Sequence, residues 1–183
     1  GTYCELSPQE EALLCCRRKP IVLLKKRPGV SLAASLAPGN ARLGVMLPYT
    51  PLHCLLMERR EALVLTSGNV SDRPMIYRDG DIPALAGLAD AVLTHDRPIE
   101  RRVDDSVAVV SGGKTRLMRR GRGYAPEPLP LRGCGRVLFA AGAQQKNAFC
   151  LVKGNDAFLS SHMGDLDDIE TERSYLEEIP AFE

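Results

Sequence analysis

The sequence predicts an α/β protein in which a mixed, twisted sheet is followed by a smaller unit of β-hairpins. Strand-length apolar runs alternate with helical patterns through the first half of the chain, which is typical of a sheet with helical crossovers. A hairpin pattern over residues 106–118 adds antiparallel pairing, so we expect the sheet to be mixed. Three prolines within residues 124–130 mark a stiff linker, and short strands dominate the pattern after it.

Four helices are predicted from their start signals and apolar spacing. Ser7 and Glu10 form a capping box around Pro8. Thr50 precedes Pro51 in the same way at the start of the second helix. The predicted apolar face of that helix comprises Leu52, Leu55 and Leu56. The predicted helices span residues 8–16, 51–60, 82–88 and 168–179.

Outside the hairpin, strands are predicted from apolar runs bounded by turn residues. Gly154 and Asn155 form the expected tight turn between the last two strands. The linker places the domain boundary at residue 131, giving units 1–131 and 132–183. About fifty residues are too few for a secure core, so the second unit is expected to be the start of a larger domain. The predicted strands span residues 21–24, 43–47, 62–66, 91–94, 137–141, 148–153 and 157–161.

Composition indicates a folded, reduced protein. Apolar residues make up 44% and charged residues 26% of the chain, the balance of a globular domain. No run of about 18 apolar residues is present, which excludes a transmembrane helix, and the first residues lack a signal-peptide pattern. The six cysteines form no Cys-x-x-Cys pair; Cys15 and Cys16 lie in an apolar helical run, and Cys54 and Cys150 lie among Leu, Met and Phe residues. We therefore expect reduced, buried thiols and a cytoplasmic location.

The net charge of +1 conceals two oppositely charged stretches. Residues 97–123 contain eight basic and three acidic side chains, and residues 155–183 contain nine acidic side chains and one arginine. The basic stretch predicts an anionic ligand and the acidic stretch predicts an exposed helix. A solvated strand and loop is the alternative interpretation of the basic stretch.

The most informative polar motif follows the predicted strand at residues 62–66. It spans residues 66–72 and includes Ser67, Gly68 and Asn69. Ligands of open α/β sheets bind beyond the carboxyl ends of strands, where hydroxyl and amide groups can bond phosphate or ribose. Glycine there lets backbone N–H groups approach an anion. A turn closed by its own side chains, with no ligand, is the alternative.

A second motif precedes the predicted hairpin. Asp104 and Asp105 can coordinate Mg²⁺ carried by a nucleotide, or pair with Arg101 and Arg102 as surface ions. Ser106 begins the next strand, where its hydroxyl can reach a phosphate. The sequence leaves the choice between metal ligands and ion pairs open.

A run of guanidinium groups follows the hairpin. Arg119, Arg120 and Arg122 surround Gly121, and arginine binds phosphate with two parallel hydrogen bonds. RNA binding is also open to these residues, although Tyr124 is the single aromatic in the patch.

No catalytic residue is assigned and no metal site is predicted. The histidines at positions 53, 95 and 162 are far apart in sequence, without partners at metal-ligand spacing. No nucleophile motif occurs, so an enzyme built on these residues would act by electrostatic stabilisation of an anionic substrate.

Several motifs in a fixed order resemble the HypF family, the carbamoyltransferases of NiFe-hydrogenase maturation. The resemblance covers nearly the whole chain. It implies a twisted, mixed YrdC-like sheet in the first unit and a partial actin-like (ribonuclease H-like) β-hairpin unit in the second. The YrdC-like motifs lie at residues 43–53, 65–72, 95–106 and 118–126, and the actin-like motifs at residues 142–147 and 159–166.

The resemblance implies an enzyme that uses ATP and carbamoyl phosphate, through carbamate, to form carbamoyl-adenylate. The carbamoyl group would pass to the C-terminal cysteine of the partner protein HypE, and Mg²⁺ would accompany the nucleotide. Membrane and nucleic-acid partners are not expected. By match to the family motifs, Ser67 and Asn69 contact the nucleotide. Ser106 and Arg119 approach its phosphates, and Arg122 is added as the next guanidinium of the run.

Two alternatives share the same fold. The first is a threonylcarbamoyl-adenylate synthase relative acting in tRNA modification, and the second is a double-stranded-RNA-binding YrdC-like module. The synthases usually carry an Arg-x-Pro motif where this chain has Met46, Leu47 and Pro48. Methionine cannot bind the carboxylate of threonine, so carbamoyl chemistry is favoured.

The chain is expected to be an internal fragment of a longer enzyme. The family begins with an acylphosphatase domain and two zinc fingers that this sequence does not match, so zinc is assigned to those parts. The family's Lys-x-Arg segment is also unmatched, because Lys25, Lys26 and Arg27 follow a different strand. The His-x-x-x-His metal motif of the actin-like domain would lie beyond residue 183. We therefore expect no turnover by the chain alone.

Overall fold

A computed structural model describes residues 1–70 and 73–182. Contacts divide the chain into two compact units, each made of two stretches. The first unit is Gly1–Leu63 with Asp105–Ala125, and the second is Val64–Asp104 with Pro126–Glu183. The second unit therefore joins a segment from the middle of the chain to the C-terminal part.

A four-stranded sheet forms the centre of the first unit. Its strands are β1 (Ile21–Lys25), β2 (Arg42–Val45), β3 (Val107–Ser111) and β4 (Lys114–Arg119). The order is β2-β1-β3-β4, with β1 antiparallel to β2 and parallel to β3. The predicted hairpin joins β3 to β4 through Gly112 and Gly113, both at positive φ as a tight hairpin turn requires. The predicted mixed sheet is confirmed.

Two capped helices accompany this sheet, α1 (Pro8–Cys15) and α2 (Pro51–Met57). The Glu10 N–H donates to the Ser7 hydroxyl at 3.3 Å, and the Glu10 carboxylate accepts from the Ser7 N–H at 2.8 Å. The Thr50 hydroxyl accepts from the N–H of His53 at 3.1 Å. Both predicted caps are confirmed. The buried core beneath α1 consists of Cys4, Leu14, Val22, Leu24 and Leu43.

The second unit contains an antiparallel sheet and one longer helix. Its strands are β5 (Leu129–Pro130), β6 (Arg136–Ala140), β7 (Cys150–Gly154) and β8 (Asp156–Leu159), in the order β5-β8-β7-β6. Three of these were predicted; β5 was not, because it forms at the end of the predicted linker. Pro130 is tolerated there because an edge strand leaves one row of N–H groups unpaired.

The predicted C-terminal helix is α3 (Ile169–Glu178), and the Asp168 carboxylate caps it. Phe149 is fully buried, and its ring lies 5.6 Å from Tyr175 of α3, 5.7 Å from Phe139 of β6 and 5.0 Å from Phe182. These aromatic side chains form the core that joins α3 to the second sheet.

Two predicted strands are wrong. Residues 62–66 and 91–94 were predicted as strands because most of their side chains are apolar, but within the described part of the chain no strand pairs with them. Val64 and Leu93 are each 77% exposed. An apolar run becomes a strand only when a neighbour supplies backbone hydrogen bonds, and local sequence does not report that neighbour.

Three smaller expectations also need correction. The helix predicted at 82–88 is a 3₁₀ helix, Asp79–Leu85, because Pro83 removes a backbone donor inside it. None of the seven residues of α2 is buried, so its predicted leucine face is exposed. All six cysteines are free, but Cys15 and Cys54 are exposed rather than buried. Among the described residues, no helix has both the length and the apolar character that a membrane span needs.

Candidate functional site

Ser67 and Asn69 lie on a loop of the second unit that is closed by its own hydrogen bonds. The Ser67 hydroxyl donates to the side-chain oxygen of Asn69, whose amide nitrogen donates to the Arg73 carbonyl at 3.0 Å. The Ile76 N–H donates to the Gly68 carbonyl at 2.9 Å. These bonds give the loop a defined shape, and Ser67 is exposed at its surface. We call these residues, 67–69, the Ser-Gly-Asn loop.

Ser106 is fully buried at the start of β3 in the first unit. Its hydroxyl accepts a hydrogen bond from the Gly121 N–H at 2.8 Å and donates one to the Arg122 carbonyl at 3.0 Å. One side chain thus fastens the beginning of β3 to the basic run that follows β4. A phosphate contact by Ser106 stays a prediction.

Arg122 forms hydrogen bonds through all three nitrogens of its guanidinium group. Its Nε donates to Asp105 Oδ1 at 2.6 Å, while Nη1 and Nη2 donate to the carbonyls of Arg18 and Lys19 at 3.1 and 2.8 Å. Its Cζ lies 3.5 Å from the centre of the Tyr49 ring. All three nitrogens therefore bind protein acceptors, and a phosphate contact by Arg122 stays a prediction.

Two neighbours of Arg122 were not predicted as site residues. Met46 Sδ lies 3.7 Å from Nη2, and burial, followed by the nearby Asp105 carboxylate, raises the pKa of the Tyr49 hydroxyl. Lys19 adopts φ 43°, a conformation that an L-residue holds only with support from its surroundings. No sequence spacing links positions 19, 46 and 122, so only the fold could bring them together.

The acidic pair before β3 shows how the ion-pair alternative is realised. Asp105 pairs with Arg122 rather than with Arg101 or Arg102, and Arg101 pairs with Glu178 at 3.5 Å. Within residues 1–70 and 73–182, no cluster of three or more His, Cys, Asp or Glu side chains is arranged to hold a metal. One Asp105 oxygen is bound to a guanidinium, and Mg²⁺ that accompanies a nucleotide stays a prediction.

The two stretches that resemble the actin-like domain form one polar cluster in the second unit. Asn147 is 1% exposed; its amide nitrogen donates to two carbonyls of the 141–143 segment, and its N–H donates to the Gly164 carbonyl at 2.7 Å. Gly142 lies at φ 80°, where a Cβ would come within 2.4 Å of the Ala148 carbonyl oxygen. Only glycine fits that position.

Lys146 and Asp165 close the same cluster at its surface. The Asp165 carboxylate accepts from the Lys146 N–H at 2.7 Å and from its ammonium group at 2.9 Å. These bonds, the backbone one first, hold the pKa of Asp165 below its ordinary value. Neither residue was predicted as a site residue, although both lie in motifs that carry the family resemblance.

The five predicted nucleotide contacts are distributed over both units. Ser67 and Asn69 belong to the second unit, whereas Ser106, Arg119 and Arg122 belong to the first. Ser67 and Asn69 are brought together, as are Ser106 and Arg122. Arg119 is exposed at the end of β4. Contact of all five with one nucleotide stays a prediction, and positions 71 and 72 of the loop motif lie outside the described residues.

Comparison with known families defines the class of protein. Residues 1–121 match the Sua5, YciO and YrdC family, described as telomere recombination, and residues 134–183 match the HypF Kae1-like domain. The first match covers about two thirds of the chain, which therefore belongs to the Sua5, YciO and YrdC family.

The particular relatives are carbamoyltransferases named HypF. The chain is 42% identical over 173 residues to that of Synechocystis sp., covering 93% of this chain and 23% of the relative. It is 43% identical over 173 residues to that of Rhizobium leguminosarum bv. viciae, covering 90% and 23%. The chain thus spans about a quarter of the length of these relatives.

Solved HypF structures have the same fold over this region. Full-length HypF in its phosphate- and nucleotide-bound form matches with a TM-score of 0.94 and 44% identity, over 99% of this chain and 29% of that one. HypF of T. kodakarensis matches with a TM-score of 0.93 and 34% identity, over 99% and 24%. The resemblance to the HypF family is confirmed, as is a YrdC-like fold followed by part of a Kae1-like unit.

Proposed function

We propose that this chain supplies part of the nucleotide site of a HypF-type carbamoyltransferase. Its substrates would be ATP and carbamoyl phosphate, its intermediate carbamoyl-adenylate, and its final acceptor the C-terminal cysteine of HypE. The observation that carries the proposal is the match to a HypF structure that holds phosphate and nucleotide. Because the chain spans about a quarter of its relatives, the complete reaction is assigned to the longer enzyme.

The Ser-Gly-Asn loop is suited to bind the nucleotide because its shape exists before binding. Asn69 is oriented by its bond to the Arg73 carbonyl, and the exposed Ser67 hydroxyl lies beside it. Groups oriented in advance lose little conformational freedom when a ligand binds. We assign nucleotide contact to Ser67 and Asn69.

Charge neutralisation is assigned to the basic run after β4. Arg119 is an exposed residue at the end of β4, and an arginine side chain can form two hydrogen bonds to a phosphate. The Ser106 hydroxyl and the Arg122 guanidinium are hydrogen-bonded to protein atoms, so they support the proposal by fixing the backbone of this run. Mg²⁺ would arrive with ATP and offset part of the phosphate charge.

The adenylation step needs orientation more than proton transfer. In the longer enzyme, water would first hydrolyse carbamoyl phosphate, releasing phosphate and carbamate. A carbamate oxygen then forms a bond to the α-phosphorus of ATP, the bond from that phosphorus to the bridging oxygen breaks, and pyrophosphate leaves with the electron pair. Carbamate is already an anion, so no general base is required. This agrees with a site in which no side chain was assigned as a base.

Specific contacts argue against both alternatives. Met46 carries no charge that could bind a threonine carboxylate, and the guanidinium of the neighbouring Arg122 already donates to protein acceptors. Arg101 binds Glu178, and Arg120 Nη2 donates to the Tyr124 carbonyl at 2.9 Å. Guanidinium groups already bound to protein acceptors are poor candidates for an RNA-binding surface.

Calorimetric titration of the chain with ATP and Mg²⁺ tests the proposal. Asn69→Ala should weaken ATP binding about tenfold or more, as expected for one lost hydrogen-bonding group. Asn155→Ala, in the exposed turn after β7, is the matched control and should bind like the parent chain. Equal ATP affinity for the two variants would contradict the proposal, and threonine-dependent ATP binding would support the synthase alternative.

ATP–pyrophosphate exchange with carbamoyl phosphate tests whether this chain needs the rest of the longer enzyme for catalysis. We expect no sustained exchange by this chain alone. Sustained exchange by the isolated chain would contradict its assignment as an incomplete catalytic unit.

A further inference from the structure

Helix α3 carries a single polar stripe. Residues spaced three or four apart lie on one face of a helix. Thr171 and Tyr175 form a neighbouring face that is buried in the core of the second unit. The stripe itself, at positions i, i+4, i+7 and i+8, consists of Glu170, Ser174, Glu177 and Glu178.

Each stripe residue meets a different arginine of the segment Val64–Asp104. The pairs are Arg73 with Glu170 at 3.7 Å, Arg78 with Glu177 at 3.6 Å, Arg101 with Glu178 at 3.5 Å, and Arg102 with the Ser174 hydroxyl. The Tyr77 ring lies 5.0 Å from the Arg78 guanidinium carbon and 5.3 Å from that of Arg102. Because the four contacts follow one another along one face of α3, they indicate that the segment Val64–Asp104 is docked on the helix.

The first of these pairs leads directly to the Ser-Gly-Asn loop. The Arg73 carbonyl accepts the Asn69 amide that closes the loop, and the Arg73 guanidinium pairs with Glu170. A single residue therefore connects the loop backbone to α3. Movement of α3 would therefore shift Arg73 and change the hydrogen bond that its carbonyl accepts from the Asn69 amide.

The two partners come from different family modules. The arginine segment lies within residues 1–121, which match the Sua5, YciO and YrdC family, whereas α3 lies within the HypF Kae1-like match at 134–183. The contacts nevertheless place both in one compact unit. This pairing also accounts for part of the opposite charge of the basic and acidic stretches.

We propose that α3 is a positioning element for the Ser-Gly-Asn loop: its polar stripe fastens the segment Val64–Asp104 of the YrdC-like module to the Kae1-like module. The role in nucleotide binding rests on the function proposed above, whereas the fastening does not. The paired side chains are about half exposed, except that Glu178 is 16% exposed. Each pair is therefore individually weak and screened by salt, and the coupling is their sum.

Hydrogen exchange of the chain without nucleotide tests the fastening. The double variant Glu170→Lys and Glu177→Lys should accelerate exchange in peptides from residues 64–104 about tenfold, because it replaces two attractions by repulsions. Exchange in β1, β3 and β4 should not change. Glu172→Lys is the control, since it changes charge on the exposed side of α3 outside the stripe.

Exchanging the charges between the two partners distinguishes a loss of docking from a loss of the helix itself. Adding Arg73→Glu and Arg78→Glu to the double variant should restore slow exchange in residues 64–104, and 1 M NaCl should reduce the difference between variant and parent. Failure of this rescue, or an equal effect of Glu172→Lys, would overturn the fastening. Absence of ATP binding by the parent chain would instead contradict the proposed function and leave the exchange result intact. If ATP binds, unchanged affinity in the double variant would overturn the loop-positioning role.

Discussion

Arginine side chains form important contacts in both units, but the arginines of the two units differ in exposure and in the number of their partners. In the first unit, Arg122 is 24% exposed, binds Asp105 at 2.6 Å and donates to two backbone carbonyls. In the second unit, Arg73 and Arg78 are 58% and 59% exposed and meet their carboxylates at 3.6 to 3.7 Å. Burial and the number of hydrogen-bond partners, more than charge, determine how much a guanidinium group contributes to stability. We expect Arg122 to hold a local fold together and the exposed pairs to orient a docked segment.

The strongest test of this contrast is Arg122→Ala. It leaves the partly buried Asp105 and two carbonyls without their donor and removes the stack on Tyr49, so we expect a loss of about 2–4 kcal/mol in local stability. Native-state hydrogen exchange of amides in β1 and β3 measures this loss. Arg116→Ala, exposed on β4, is the control and should change stability by about 0.5 kcal/mol or less. Similar losses of stability in Arg122→Ala and Arg116→Ala would contradict the proposed difference between partly buried and exposed arginines.

Ser106→Ala tests the same region with a smaller change. The Gly121 N–H would be left buried without an acceptor, which costs about 1–3 kcal/mol. Exchange in β3 without nucleotide should reveal the loss, while Ser111→Ala, at the exposed end of β3, should have little effect. Unchanged exchange combined with weaker ATP binding would instead assign the hydroxyl to the ligand.

A double-mutant cycle between Arg78 and Glu177 measures one exposed pair. We expect a coupling energy of about 0–1 kcal/mol that disappears in 1 M NaCl, because solvent and ions screen the two charges. Urea unfolding of the parent chain, both single alanine variants and the double variant supplies the cycle. A coupling as large as the loss in Arg122→Ala would show that exposure does not separate the two regions.

The smallest expected effect is the titration of Asp165. Its lowered pKa means that its stabilising contribution is present above the unfolded pKa of about 3.9 and is lost as the pH falls through the folded pKa. Lys146→Ala should raise the pKa only part of the way, because the backbone N–H bond, the larger cause, remains. Carbon-detected NMR of the carboxyl group checks this. A complete return to the ordinary pKa would assign the effect to the ammonium group.

Prediction from sequence succeeded where a few consecutive residues carry the signal. The capping box of Ser7 and Glu10, the Thr50 cap and the hairpin through Gly112 and Gly113 all formed as predicted. It failed at residues 62–66 and 91–94, where apolar character was correct but strand pairing depended on a distant partner. The exposed leucines of α2 show the same limit, because helical spacing identifies a face but not the surface that covers it.

The candidate site divides in the same way. The order of polar motifs was enough to identify the family and to select Ser67, Asn69 and Arg119 as candidate contacts. The sequence alone did not assign Arg122 to the carbonyls of residues 18 and 19. Nor did it pair the arginines of Val64–Asp104 with α3.

The amino-acid sequence by itself therefore determined helices α1, α2 and α3, the turns, most of the strands and the family of this protein. Caps, turns and motifs depend on interactions between residues a few positions apart, which any local folding of the chain preserves. The tertiary structure alone decided which charged groups form partly buried, stabilising contacts and which form exposed ion pairs. Those outcomes depend on the burial and partners that distant segments provide once they pack together.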